Sequence, residues 1–396
     1  MVEQPTSSNP PSHLLRTRSR YAANAVFDAL VDPAVGVPPD VPWRPQALTP
    51  DWLTAALCAE TPGAAVESVT VVEGDQGSSY RRKVSVTYNA EGDRAGLPRN
   101  LFTKSAPTWL TRMASSADIA KAESTFLLDL RKGLDIEAPT LLFGAVDEAS
   151  GRMIELFVDE VESAGARFFD RTTTISRTQA EQMVDTLATL HGTFAASVDQ
   201  YSWLPEYGRR ILRGDRNGLR AAHEQAMDRC ADLLPADLYR RRDEIWPGVV
   251  DAVRLHGGTG RTVLHSDVHL GNWYETGAGR VGLADWQCVC RGHWARDVAY
   301  TFASTLATED RRRWERDLLE RYIEGSTARS GVEVPIDEAW RCYRQQLVTA
   351  LLSWTPTLVP TTTMPDMQPE EMSVLMIERI GAAMDDLDAL GALGEG

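Results

Sequence analysis

The 396-residue chain predicts an α+β fold in two lobes: a small, sheet-rich first lobe and a larger, mainly helical second lobe. Three observations predict it. Runs of β-forming residues separated by Gly-, Asn- and Asp-rich turns fill the chain up to about residue 158. Beyond Glu160 apolar residues recur at helical spacing over long stretches. The length exceeds what one ordinary core accommodates. The expected division is an N-terminal extension over 1–45, a first lobe over 46–160 and a second over 161–396.

The extension contains a short helical stretch around Ala22–Val31 and then the proline-rich "VDPAVGVPPDVPWRP". Its polar, Pro/Ser-rich first dozen residues read as flexible. In "LTPDWLTAALCAE", Thr49 is the expected N-cap and Pro50 opens the helix. Strands follow over Val66–Val72, Lys83–Tyr88 and "NLFTKSA", and then a helix in "ADIAKAESTFLLDLRK". Two more strands flank the turn Asp147–Gly151. The first long helix of the second part is "RTQAEQMVDTLATLHGTFAAS".

Composition narrows the function classes. Net charge is −15, with 41 Lys and Arg against 56 Asp and Glu, which argues against a nucleic-acid surface. No apolar run reaches the roughly 18 residues that a membrane span needs. The first residues have no apolar segment behind their arginines and do not read as a secretory signal. The five scattered cysteines are expected as reduced thiols in a cytoplasmic protein; Cys288 and Cys290 lack a second pair to complete a zinc site. A monomer or homodimer that binds a small molecule is the expected state.

The chemistry-bearing stretch is "VLHSDVHLGNWYE". Its His265, Asp267 and His269 suggest a hydrolytic metal site, but the seven histidines include no second His-rich motif to complete one. Phosphoryl transfer asks for a carboxylate at the acceptor hydroxyl, magnesium on the phosphates and cover for the triphosphate. Magnesium takes hard oxygens and only one or two from protein. Asn272 and Asp285 fit that need, because "WYETGAGRVGL" reads as a hairpin that folds Asp285 back toward Asn272. Asp267 precedes Asn272 by five residues, the spacing of an H-R-D-x-x-x-x-N loop.

"HSDVHLGN" followed by "ADWQ" resembles the aminoglycoside phosphotransferase and choline kinase branch of the protein-kinase-like fold, with its H-G-D-x-H-x-x-N and I-D-W or I-D-F motifs. The resemblance covers roughly residues 48–390, and the tail is similar to the bacterial ecdysteroid-kinase-like branch. It implies that Asp267 is the catalytic base and that Asn272 and Asp285 are magnesium ligands. His269 would stand where protein kinases carry the catalytic-loop lysine, facing the γ-phosphate. His265 would be a structural support, and Ser266 replaces the usual glycine. "GHWARDVAYTF" looks like the G-x-P-x-x-D-L-A segment, so Asp297 would anchor the loop's backbone. "LATLHGTFAAS" resembles L-A-x-L-H-A, making His191 a packing residue.

In the first lobe the resemblance makes Lys104 the phosphate-binding strand lysine and Glu123 its ion-pair partner. Solvated side chains are the alternative for both. Gly74 and Gly77, with Ser78 and Ser79, would bring backbone N–H groups to phosphate, although Asp75 in the same loop would repel it. The hinge that holds the base would be Val158, Asp159 and Glu160. The expected function is an ATP- and Mg²⁺-dependent kinase, with GTP not excluded, acting on a hydroxyl of a natural product, antibiotic or related metabolite. Alternatives are an aminoglycoside O-phosphotransferase and a kinase-like protein that binds without catalysis. Trp286, Trp294, Tyr300, Trp340, Tyr343 and Trp354 are candidates to line the acceptor pocket, and Asp385, Asp386, Asp388 and Glu395 could meet a cationic acceptor.

Overall fold

The structure, a computed structural model, describes residues 11–72, 74, 79–114, 117–215, 218–360 and 367–395. The chain divides into two compact units, Met1–Ser124 with Leu141–Asp159, and Thr125–Thr140 with Glu160–Gly396.

The first unit is built on a five-stranded antiparallel sheet in the order β1-β2-β3-β5-β4. Its strands are β1 Val66–Val72, β2 Tyr80–Tyr88, β3 Asn100–Ser105, β4 Leu141–Asp147 and β5 Arg152–Val158. Period-two alternation points Val84, Val86, Leu101, Ile154 and Leu156 into one core. That core is closed by the helix Pro50–Leu57, whose Trp52 and Leu53 are fully buried. Thr49 caps this helix as expected, its hydroxyl accepting from Trp52 N at 3.2 Å.

The N-terminal segment is part of this unit rather than a separate extension. Its helix runs Pro11–Val31, starting earlier than the sequence pattern suggested. Asp28 on that helix is fully buried and takes the guanidinium of Arg112 at 2.5 Å and that of Arg152. A buried carboxylate with two arginines binds the segment to the sheet. The expected flexible start falls partly outside the described residues.

The second unit also departs from the expected boundary, because it includes Thr125–Thr140. The helix Ala117–Thr125 continues as a π-helical turn, Phe126–Leu130, and Phe126 stacks on Trp286 at 4.2 Å. Glu137 then bridges Gly282, and its carboxylate takes the Tyr274 hydroxyl at 3.2 Å. A regular helical pattern in sequence gives no sign of this change of partner. The helix Arg177–Phe194, opened by a Ser176–Gln179 capping box, packs on Thr308–Ser330. The helix Ala295–Thr305 packs on Ile336–Leu358, which in turn packs on Glu370–Asp386. Two small sheets carry the loops of interest. One pairs β6 Arg167–Phe168, β8 Trp273–Glu275 and β9 Val281–Leu283; the other pairs β7 Arg261–Leu264 with β10 Cys290–His293. Among the described residues no helix is long and apolar enough to cross a membrane.

Candidate active site

Strand β7 delivers the chain into the loop 265–272. The loop has few backbone hydrogen bonds of its own, so side chains hold it. Asp297, fully buried at the start of the helix Ala295–Thr305, accepts the His265 N–H at 2.8 Å and the Ser266 N–H at 3.0 Å. His191 Nε2 lies 3.3 Å from the same carboxylate, and His191 Nδ1 lies 2.9 Å from the Tyr322 hydroxyl. His191 is thus a buried polar strut, more than the packing residue expected. Burial works against the Asp297 charge. The His191 hydrogen bond and the nearby Arg296 guanidinium outweigh it and hold the carboxyl below its usual range.

His265 is itself enclosed. Its Nε2 lies 3.0 Å from Ala284 O and its Nδ1 accepts the Asp267 N–H at 3.2 Å. Burial pushes its pKa down, so the neutral ring donates from Nε2 and accepts at Nδ1. This single tautomer links the loop to the return hairpin. His269 Nδ1 caps the next turn by accepting from Gly271 N at 3.1 Å, and its Nε2 lies 3.9 Å from Asp267 Oδ2. Trp354 meets the His269 ring edge-on at 5.1 Å.

Asp267 remains partly open, its side chain 26% exposed, between the buried Ser266 and Val268. Asn272 Nδ2 donates to Asp267 O at 2.7 Å and contacts Asp267 Oδ2 at 3.3 Å. This orients the amide and turns Asn272 Oδ1 away from Asp267. The antiparallel pair β8–β9 then brings Ala284 N to Asn272 O at 2.8 Å, so Asp285 follows directly after the residue opposite Asn272. Asp285 has a left-handed backbone, φ 63°, which is sparsely populated outside glycine and clusters at functional positions. Trp286, anchored to Leu283 O at 2.8 Å, fixes the turn. Among the described residues no three His, Cys, Asp or Glu gather to hold a metal by themselves. A magnesium ion that takes most of its ligands from phosphate and water fits an Asn and an Asp. All five cysteines are free thiols.

The first unit carries its own polar cluster. Lys104 on β3 is buried, and its ammonium lies 2.7 Å from Glu123 Oε1. The pairing that the resemblance implied is therefore formed, and the two side chains are not solvated. Sequence reasoning missed Glu155, the cross-strand partner of Lys104, fully buried with Oε1 accepting from the Ser124 hydroxyl at 2.7 Å. Its signal was a lone carboxyl in the apolar run "MIELFV".

The remaining expectations divide. Gly77 and Ser78 lie outside the described residues. Gly74 is required by its neighbours, since a Cβ there would stand 2.2 Å from Arg81 O. Ser79 is buried beside the start of β2. The hinge residues are more occupied than a free base-binding edge would be. Val158 pairs with Leu101, Asp159 N donates to Asn100 O at 3.0 Å, and the Asp159 carboxylate meets Lys83 at 3.3 Å. Glu160 opens the helix Glu160–Ala164, and its side chain accepts from Thr140 N at 3.0 Å.

Of the aromatic candidates, Trp286, Trp294 and Tyr343 are core residues, stacked on or bonded to Phe126, Tyr322 and Glu315. Trp340 leans on Tyr343 at 5.4 Å. Only Trp354 and Tyr300 contact His269 or Asp267.

A search of curated proteins returns no match. Solved structures similar to this chain include a choline kinase from Streptococcus pneumoniae, at 14% identity over 87% of this chain and 98% of that one, TM-score 0.44. A macrolide 2′-phosphotransferase from Brachybacterium faecium is 14% identical over 80% and 98%, TM-score 0.44. An aminoglycoside phosphotransferase from Streptomyces rimosus is 19% identical over 76% and 97%, TM-score 0.38. Residues 125–334, which take in the loop, the return hairpin and Asp297, match the phosphotransferase enzyme family known as APH. Because that match spans more than half of the chain, the protein belongs to the phosphotransferase enzyme family.

Proposed function

We propose that the protein transfers the γ-phosphoryl group of ATP, with GTP as the alternative donor, to a hydroxyl of a small natural product, antibiotic or related metabolite. One observation carries the reading. A half-open carboxylate, Asp267, has its carbonyl and Oδ2 bound by the Asn272 amide, and a hairpin returns Asp285 to the same end of the loop.

Asp267 accepts the proton of the acceptor hydroxyl as the acceptor oxygen bonds to the γ-phosphorus. The bond from that phosphorus to the β–γ bridging oxygen breaks, and the nucleoside diphosphate leaves. Lys104, held by Glu123, meets the phosphates of the donor, and His269 is a further contact for the transferred group. Asn272 Oδ1 and the Asp285 carboxylate are the protein oxygens suited to magnesium, which when bound neutralises phosphate charge.

The acceptor carries little positive charge in this reading. A polycationic aminoglycoside needs carboxylates that are not already neutralised. Three of the tail carboxylates are engaged: Asp386 with Arg311 and Arg312, Asp388 with Arg241, and Glu395 with Arg344. The reading that the protein binds without catalysis has no missing residue to support it, since Asp267, Asn272 and Asp285 are all retained.

The test is a screen of hydroxylated antibiotics, sugars and steroids with ATP and magnesium, read by the mass gain of one phosphate. Asp267→Ala should cut product formation by about 10²–10⁴-fold. A wild-type protein that binds ATP without magnesium dependence and phosphorylates nothing would sink the catalytic reading.

A further inference from the structure

Tyr300 lies on the helix Ala295–Thr305, three residues after Asp297, and only 1% of it is exposed. A phenylalanine would fill the same space, so the hydroxyl is the part that needs a reason. It lies between the Ser353 hydroxyl, with which it is hydrogen-bonded, and Asp267, whose Oδ1 it approaches at 3.4 Å. That is long for a hydrogen bond to a carboxylate, as contacts at catalytic groups often are before substrate binds.

The ring beneath that hydroxyl is itself held. The Arg296 guanidinium stacks over it at 4.3 Å and over Tyr207 at 5.3 Å. Arg296 NH2 donates to Ser353 Oγ at 2.6 Å and approaches Ser266 O at 3.4 Å. Arg296 is 1% exposed, and its Nε and NH1 have no hydrogen-bond partner. Burying a guanidinium with two such nitrogens is costly, and packing alone would be served as well by an apolar side chain. Two aromatic faces compensate part of that cost. The buried Asp297 carboxylate and the nearby Asp267 compensate a further part. The arrangement therefore fixes the plane and height of the Tyr300 ring.

We propose that Tyr300 is a positioning residue for the base Asp267, its hydroxyl steadying Oδ1 while Asn272 holds Oδ2, with Arg296 and Ser353 bracing the ring. The inference rests on the phosphotransfer reading above. The Asp267 carboxylate is then fixed through both oxygens and through its N–H, which His265 Nδ1 accepts at 3.2 Å. Misplacing a base by a fraction of an ångström lowers the turnover step and leaves donor binding alone.

The experiment compares wild type, Tyr300→Phe, Ser353→Ala and Asp267→Ala. It measures melting temperature, MgATP binding by calorimetry, and kcat and KM for phosphoryl transfer to the best acceptor from the screen, or to water if none is found. Tyr300→Phe should keep the melting temperature and the MgATP affinity and lose about 10–100-fold in kcat, the worth of a hydrogen bond to a charged group. Ser353→Ala should lose less, again in kcat and not in KM for MgATP. Tyr300→Phe turning over at the wild-type rate overturns the proposal. If Tyr300→Phe is destabilised, Ser353→Ala decides, and a wild-type rate there also overturns it. A wild type whose transfer to acceptor and water equals that of Asp267→Ala overturns the catalytic reading and this proposal together. Normal transfer that Asp267→Ala alone abolishes overturns the role of Tyr300 only.

Discussion

Ser266 has a left-handed backbone, φ 70°, and its N–H is bound by Asp297 Oδ1 at 3.0 Å. The two facts have one cause. For Asp297 to accept consecutive N–H groups from His265 and Ser266, the chain must turn sharply between β7 and Asp267. A residue with a Cβ pays about 1–2 kcal/mol to sit there. This explains in physical terms why glycine suits the position and why serine is a departure that folds.

The first prediction follows from that strain. Ser266→Gly relieves it but loosens the unfolded chain, a loss of about 0.4–1 kcal/mol. Ser266→Ala keeps the strain and loses the hydroxyl that lies against Cys290. In urea denaturation the glycine variant should therefore be about 0.5–1 kcal/mol more stable than the alanine variant. Equal midpoints would mean that the loop relaxes without the left-handed turn.

Asp297→Asn should be far more damaging. The amide offers one acceptor where the carboxylate offers two, so one of two buried N–H groups loses its partner, and the His191 contact weakens. The expected cost is about 2–4 kcal/mol at neutral pH, with a fall in turnover as the loop loosens. The folded pKa of Asp297 lies below its ordinary 3.8, so the carboxylate's contribution is complete above that pH. It is lost as pH falls below 3.8 through the folded value. The stability gap between wild type and variant, followed by denaturant titration, should be constant from pH 7 to 5 and narrow below pH 3.8.

What was legible in the sequence was local. The Asp267–Asn272 spacing and the hairpin that returns Asp285 both lie within a few residues of the pattern that betrays them. The Thr49 cap was readable for the same reason. Tyr300 was legible only as a pocket-lining aromatic; its bracing by Arg296 and Ser353 was not, because the Arg296–Ser353 contact joins helices 57 residues apart in the chain. The transfer of Thr125–Thr140 to the helical unit was hidden in a pattern that reads as one continuous helix. The buried pairing of Asp28 has no local signal, since its partners Arg112 and Arg152 are more than 80 residues away.

The last prediction concerns Glu155. Lys104 and Glu155 are cross-strand partners, and Glu123 lies 2.7 Å from the same ammonium, so two buried carboxyls share one cation. Burial first, and the Glu123 charge second, push the Glu155 pKa well above 4.5. The unfolded chain ionises this group near 4.5, while the folded protein keeps the proton, so folding is opposed increasingly as pH rises from 4.5 toward the folded value. Glu155→Gln has the shape of the neutral acid and removes that dependence. It should match wild type at pH 4 and be the more stable protein at pH 8, the difference opening as pH rises above 4.5. Lys104 keeps Glu123, so MgATP affinity at pH 7 should hold. Parallel guanidinium titrations at both pH values check it. A variant that is weaker than wild type at pH 8 would mean that Glu155 is ionised and is itself a partner of Lys104.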